Sequence, residues 1–330
     1  MVVESPFVQK LLEMARAEKG RLALPEGDDP RVIEAAKSLL KADVLSELWL
    51  FGKASEIATA LANSDKRLKL VEASDETVIT QTRNHFEERA RAKGKALTAE
   101  ESAVIGTSVL NQAAMYLAQD KVDAVVAGCA HTTADVIRAT LKGVGMKKGL
   151  KTLSGSFVMV RGKEIYLYGD CGVVADPTSE QLADIAEATA DTFKLLFADS
   201  SPKIAFLSFS SKGSADHPRV DKVRDALKIF EARKTGYLAD GELQFDAAFV
   251  PEIGKRKAPG SLVAGQANCF IFPDLDAGNI GYKITQRLGG FDAYGPILQG
   301  GAKPYLDLSR GANAKDIMVS GLLALIKARY

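Results

Sequence analysis

Three observations predict an α/β fold in two domains. Short apolar runs alternate with helix-periodic stretches, the runs are continuously hydrophobic, as in parallel strands covered on both faces, and the length of 330 residues exceeds the roughly 100–200 of one domain. Ser5-Pro6 opens a helix with a hydroxyl cap and a proline in the first turn, and Val8, Leu11, Leu12 and Ala15 fall on one face behind it. A strand from Arg21 to Leu24 stops at Pro25-Glu26-Gly27, and a helix follows from about Asp29 to Lys41. The rhythm repeats with strands at Leu48–Phe51 and Leu68–Val71 around a helix at Ala54–Leu61. Helices are predicted from Thr77 to Lys93 and from Thr98 to Gln119, then a strand at Ala124–Ala127 and a helix at Thr133–Lys142.

Near residue 150 the pattern changes. Ser154–Val160 and Ile165–Tyr168 flank the polar turn Arg161-Gly162-Lys163 and read as a hairpin. A long helix follows Pro177, strands are expected at Ile204–Phe209 and Phe270–Phe272, and helices at Ala277–Leu288 and Ala314–Lys327. The domain change is placed at 145–150, and the last helix is free to return to the first domain.

Composition excludes several classes. Hydrophobic residues make up 46% and charged residues 26%, and the formal net charge is +1, so no global field exists to hold a polyanion and nucleic acid is not an expected partner. Cys129, Cys171 and Cys269 are too few and too scattered for a disulfide framework and fit a reducing cytoplasm. There is no CxxC or HExxH spacing and His85, His131 and His217 lie far apart, so no metal site is expected. No run approaches the ~20 apolar residues of a membrane span, and the first residues do not read as a secretory signal.

Familiar phosphate loops and the GxSxG elbow are missing, which directs attention to polar loops just after strands, where open α/β sheets bind ligands. Four qualify: Ala127–Thr133 leading to a helix with Arg138, Ser208–Ser214, Phe272–Asn279, and Asp307–Gly311 with Asp316 in the first turn of the terminal helix. A serine, an arginine and free N–H groups at a helix start suit an anion or a developing oxyanion. Each has a plainer alternative. Ser210–Ser214 reads equally as a polar turn, Asn313 and Asp316 have capping-box spacing, Arg89, Arg91 and Lys93 suit the wet face of a helix, His131 suits a loop hydrogen-bonder, and Cys129 suits a buried packing position.

The words of the sequence carry a resemblance. Leu24-Pro25-Glu26-Gly27-Asp28-Asp29, Gly128-Cys129-Ala130-His131-Thr132-Thr133-Ala134-Asp135, the run Asp240–Ala248, Lys257–Ser261 through Ala264–Asn268 to Gly278–Lys283, and Asp307-Leu308-Ser309-Arg310-Gly311 are similar to the phosphate acetyltransferase family, in order over nearly the whole chain. The resemblance implies the two-domain, three-layer α/β fold of isocitrate and isopropylmalate dehydrogenases, with residues 1–145 plus 300–330 as one domain, 146–299 as the other, and an active-site cleft between them. It implies a cytoplasmic homodimer that moves an acetyl group reversibly between acetyl phosphate and coenzyme A, releasing or taking up inorganic phosphate, with no metal and no tightly bound cofactor.

Carried over by motif, Ser309, Arg310 and Asp316 match the catalytic residues, and Arg138 and Arg89 match two further active-site arginines, with Arg91 open as the alternative to Arg89. His131, Thr132, Ser210, Lys212, Gly213 and Ser214 complete the expected substrate contacts. The family's Ser-Arg-Gly loop is often followed by a cysteine and acidic residues, whereas here Ala312, Asn313 and Ala314 follow. Guanidinium forks suit the phosphoryl dianion, and Arg310 and Ser309 suit the charge that grows on the acyl oxygen as the thiol attacks. An aspartate is a weak base for a thiol near pKa ~8.5, so Asp316 needs a shielded setting to take its proton. Two other functions remain beside this one: phosphate butyryltransferase, and a non-catalytic acetyl-coenzyme A sensor. Direct attack in a ternary complex is expected over a ping-pong route through Cys129.

Overall fold

The chain divides into two units, Met1–Lys148 with Gly301–Tyr330 and Gly149–Gly300, in the computed structural model, which describes residues 5–61 and 65–329. It enters the first unit through α1 (Pro6–Ala17), β1 (Gly20–Leu24), α2 (Pro30–Ala42), β2 (Leu45–Gly52), α3 (Ala54–Leu61), β3 (Leu68–Glu72), α4 (Glu76–Ala92), α5 (Ala99–Thr107), α6 (Val109–Ala118), β4 (Ala124–Ala127) and α7 (Thr133–Ala139), which runs into a π turn at Thr140–Val144. The second unit holds β5 (Ser154–Arg161), β6 (Glu164–Gly169), α8 (Ser179–Leu196), β7 (Lys203–Leu207), α9 (Pro218–Ala232), β8 (Leu238–Leu243), α10 (Phe245–Phe249), α11 (Pro251–Lys257), β9 (Cys269–Ile271), α12 (Leu275–Arg287) and β10 (Asp292–Gln299). The chain then returns to the first unit with β11 (Tyr305–Asp307) and α13 (Ala314–Lys327).

The first unit's sheet has the order β11-β4-β1-β2-β3, and every pairing is parallel. Trp49 and Phe51 of β2 meet Tyr116 of α6 edge-on, so Leu48 and Leu50, also buried, face the other layer. That layer is built from α1, α2 and α13, which pack on one another. Burial on both sides is why the strands read as unbroken apolar runs. From β1 the chain moves toward β2 and β3, whereas β4 and β11 lie on its other side. The order therefore reverses between β1 and β4, and the loops leaving their carboxyl ends diverge there, the usual place for a ligand in such sheets.

The second sheet runs β10-β5-β6-β9-β7-β8, antiparallel at β10–β5–β6 and parallel from β6 to β8. Alternation sorts its two faces. Phe157, Met159, Tyr168, Ala205, Leu207 and Phe270 join the core that includes Ala247 and Ala248 of α10, whereas Phe206 stacks edge-on with Phe230 of α9. Among the described residues no helix is long and apolar enough to cross a membrane.

Three details depart from the sequence reading. The stretch read as one helix from Thr98 to Gln119 is two, because Ser108 leaves helical geometry, ends α5 and caps α6. The helix expected to reach Lys142 stops at Ala139 and widens into the π turn. Strands β8, β10 and β11 come from segments that carry a glycine, a Gly-Pro pair and only three residues, respectively.

Candidate active site at the ends of the first sheet

Strands β1, β4 and β11 are parallel neighbours or next neighbours, so the segments after Leu24, Ala127 and Asp307 emerge at one edge of the sheet. Glu26, just past β1, is only 6% exposed. Its Oε2 accepts the N–H of Gly128 (2.9 Å), the N–H of Cys129 (3.0 Å) and the Cys129 thiol (2.9 Å), and its Oε1 accepts the N–H of Ala130 (2.9 Å) and Nδ1–H of His131 (2.7 Å). Burial opposes ionisation of Glu26 most strongly, yet these bonds together outweigh it and hold the carboxyl below its ordinary range. The same anion raises His131 above the usual histidine value, and burial followed by Glu26 pushes the Cys129 thiol far up. Gly128 sits at φ +109°, and a Cβ there would lie 2.8 Å from the Leu308 carbonyl and against Oδ1 of Asp307, so only glycine fits.

Asp307 closes β11 beneath this loop, 1% exposed. Thr133 donates to its Oδ2 at 2.6 Å, and its Oδ1 is buried without a hydrogen-bond partner. Burial, with the Glu26 charge as a smaller contribution, raises Asp307 to about 6. Arg31, from the first turn of α2, ties the loops together. It forks onto Asp29 (3.0 and 2.7 Å) and donates to the carbonyls of Cys129 (2.8 Å), Arg310 (2.8 Å) and Ala312 (2.9 Å).

The backbone of the Ser309–Arg310 segment is thereby fixed while its side chains stay exposed. Ser309 turns the chain, its carbonyl accepting Ala312 N–H (2.8 Å) and its Oγ accepting Gly311 N–H (3.2 Å). The Arg310 guanidinium has no hydrogen-bond or ion-pair partner among the described residues. Asp316 is the third residue of α13 and completes a capping box, with its Oδ2 accepting Asn313 N–H and its own N–H donating to Asn313 Oδ1, both at 3.0 Å. Asp316 is therefore a capping residue and, through Oδ1, an exposed carboxylate oxygen beside the Ser-Arg loop. The three residues share one loop and the helix start it feeds.

The other expected residues of this unit are placed differently. Thr132 caps α7, its hydroxyl accepting Asp135 N–H (3.2 Å) and donating to Asp135 Oδ2 (2.7 Å), and Arg138 is exposed and pairs with Asp135 at 2.7 Å. Arg89 is half-buried and caps the π turn, donating to the carbonyls of Lys142 (2.8 Å) and Val144 (2.9 Å), and burial lowers its pKa. Arg91 is exposed, one turn from Glu87 on the surface of α4.

Ser208–Ser214 lies beyond β7 in the second unit. Ser210 is fully buried, and its hydroxyl donates to Glu242 at 2.8 Å. Gly213 N–H donates to the same carboxylate (2.8 Å), as does Arg224 Nε (3.0 Å). Burial again opposes ionisation, but these bonds bring Glu242 down to about 2. Lys212 pairs with Asp240, and Ser214 Oγ accepts Ser211 N–H at 3.0 Å. Among the described residues no group of three or more His, Cys, Asp or Glu side chains is arranged to hold a metal.

Glu26, Arg31, Asp307 and Glu242 were not picked out by sequence reasoning as site residues. The available signal was slight: Glu26 stands in the Pro-Glu-Gly break that stops β1, and Glu242 lies in the Asp240–Ala248 run, but partners such as His131 lie 105 positions away.

Known proteins agree with this architecture. The model of the phosphate acetyl/butaryl transferase family matches residues 6–325. The phosphate acetyltransferase of Bacillus subtilis is 41% identical over 315 residues, 93% of this chain and 94% of the relative. The crystal structure of a phosphotransacetylase from Streptococcus pyogenes superposes with a TM-score of 0.90 at 42% identity, covering 98% of each chain. A putative 4-hydroxythreonine-4-phosphate dehydrogenase from Salmonella typhimurium, at 14% identity and a TM-score of 0.54 over 93% of this chain and 99% of that one, shares the dehydrogenase-like fold. A sheet whose carboxyl edge gathers the Pro-Glu-Gly, Cys-Ala-His-Thr and Ser-Arg-Gly segments, matched along nearly its whole length, places the chain in the phosphate acetyl/butaryl transferase family.

Proposed function

We propose that the protein transfers an acetyl group reversibly between acetyl phosphate and coenzyme A. The observation that carries this is the Ser309-Arg310 loop, whose backbone Arg31 fixes to the Cys129 loop while an unpaired guanidinium, a hydroxyl and the Asp316 carboxylate stay exposed beside one another in sequence. The thiol sulfur of coenzyme A attacks the acetyl carbon, and its proton passes to Oδ1 of Asp316. Arg310 and the Ser309 hydroxyl meet the oxyanion that forms. The bond from the acyl carbon to the phosphate oxygen then breaks, and the proton ends on the departing phosphate. Substrate lying over Asp316 displaces water from it, which strengthens the carboxylate as a base.

Arg138, Arg89, His131 and Thr132 are proposed as substrate contacts in the first unit, and Lys212, Gly213 and Ser214 in the second, with Ser210 supporting the latter loop from beneath. The buried Cys129 thiol, held protonated beside Glu26, is poorly suited to form an acyl-enzyme, which favours direct transfer in a ternary complex. Acetyl is favoured over butyryl by the 41% identity to a phosphate acetyltransferase. The exposed Ile280 and Ile284, one turn apart on α12, and Leu288 just past its end favour a homodimer, and three buried free cysteines fit a cytoplasmic setting. No tightly bound cofactor is proposed.

A phosphate-dependent assay of acetyl-coenzyme A consumption, run beside butyryl-coenzyme A, tests the reading. Turnover with acetyl-coenzyme A is expected to dominate, and silence with both donors would favour the sensor. Asp316→Asn is expected to cut kcat by about 10²–10⁴ with little change in KM for coenzyme A, and wild-type kcat would leave Asp316 a helix cap alone.

A further inference from the structure

Glu26 is more than a loop anchor, because of the partner it has chosen. Three of its bonds go to consecutive backbone N–H groups and one to the buried Cys129 thiol, and the fifth goes to a titratable ring whose side chain is 37% exposed. An ionised carboxylate only accepts, so the Nδ1 that faces it must carry a proton. In neutral His131 this leaves Nε2 as a bare acceptor, which repels phosphoryl oxygens. In the imidazolium both nitrogens donate, and Nε2–H, which no described residue occupies, is free to meet an anionic oxygen. The buried anion at Nδ1 favours this second proton.

We propose that Glu26 is a positioning residue for acetyl transfer: by clamping the Gly128–His131 loop and binding Nδ1, it keeps His131 a cation whose Nε2–H is presented to the phosphoryl group. This role rests on the acetyl-transfer reading above. The other groups acting on His131 are few. Asp135, on α7, adds a smaller attraction that also favours the cation. Cys129 stays a neutral thiol. Arg31 is bound to Asp29, and Asp307, beneath the loop, is buried with its charge suppressed up to about 6.

The chain has three histidines, so the ring protons of His131 can be followed by NMR, with His131→Asn identifying the resonance. In the unmodified protein His131 is expected to titrate above ~6.5, and in Glu26→Gln its midpoint is expected to fall. In assays with acetyl phosphate and coenzyme A, kcat/KM for acetyl phosphate should drop about 10–100-fold in Glu26→Gln, and the alkaline limb of the pH profile should move to lower pH. A purely structural Glu26 would lower the melting temperature and leave both the limb and the NMR midpoint in place, which would overturn the proposal. Should Glu26→Gln fail to fold, His131→Asn carries the test, since its amide can still donate to Glu26. That variant is expected to lose the alkaline limb, and a retained limb would overturn the proposal. A wild-type His131 midpoint at or below ~6.5 overturns it too, whatever the activity. Absence of turnover in the unmodified enzyme overturns the acetyl-transfer reading itself.

Discussion

Each unit holds a glycine-containing loop at the end of a strand by means of a buried carboxylate. In the first, Glu26 accepts three N–H groups, a thiol and His131. In the second, Glu242 accepts the Gly213 N–H, the Ser210 hydroxyl and the Arg224 guanidinium. Both carboxyls are held below their ordinary range against the pull of burial. What differs is the counter-charge. Arginine stays protonated at every working pH, so the Glu242 clamp changes only in acid, as the carboxylate itself is protonated toward pH 2. Histidine titrates near neutrality, so the Glu26 clamp also changes above neutrality. A permanent clamp suits support, whereas a titrating one suits a loop whose charge the chemistry uses.

The same glycine substitution in the two loops gives the widest separation. Gly128→Ala must keep φ near +109° and place its Cβ against the buried Asp307 carboxylate and 2.8 Å from the Leu308 carbonyl, so backbone as well as a side chain is in the way. The cost is expected to be about 3 kcal/mol or more, from left-handed strain of ~1–3 plus the collision, together with at least a tenfold loss in kcat/KM. Gly213→Ala faces only the Arg224 guanidinium at 3.9 Å, so it should show the backbone strain alone, about 1 kcal/mol. Equal losses of melting temperature would mean that the two loops are held alike.

Removing the counter-charges comes next. Arg224→Ala leaves Glu242 buried and unpaired. A clear loss of stability is expected by denaturant unfolding, smaller than for a fully buried pair because the Arg224 side chain is 31% exposed. His131→Ala leaves Glu26 with three N–H donors and removes a partly exposed ring, so its effect on stability should stay below about 1 kcal/mol while activity falls. The reverse order would make His131 the structural partner and undo the contrast.

What the sequence displayed and what it concealed divide along the same line. The covered strands β1, β2, β4 and β7 were legible because burial on two faces leaves an apolar run. β8 was not, since Asp240-Gly241-Glu242 interrupts it with the residues that hold the neighbouring loop. β11 has only three residues and is recognisable as a strand through its pairing with β4. Ser309, Arg310 and Asp316 were legible as a motif, including the capping-box spacing that Asp316 does fulfil. Glu26, Arg31 and Asp307 act through partners about 100 or more positions away, or, for Asp307, through burial. Neither leaves a periodicity in the chain, so the clamps emerge only on folding.

The smallest expected effect is a slope rather than a loss. Asp307 is raised to about 6 by burial, so the native state keeps a proton that the unfolded chain gives up near its ordinary value of 3.8. The folded state then binds more protons than the unfolded one across that window, and stability must fall as pH rises through it. Between pH 5 and pH 7 the fall is on the order of 1 kcal/mol. His131, also raised, adds a decline of the same sign that begins higher, as pH climbs past ~6.5. Glu26 and Glu242 act in the opposite sense and only below pH ~4.5. Asp307→Asn keeps a carbonyl for Thr133 and has nothing to ionise, so unfolding midpoints measured from pH 5 to 7 should flatten up to the onset of the His131 decline. An undiminished slope in that variant would assign it to another group and remove Asp307 from the electrostatics of the first unit's loop.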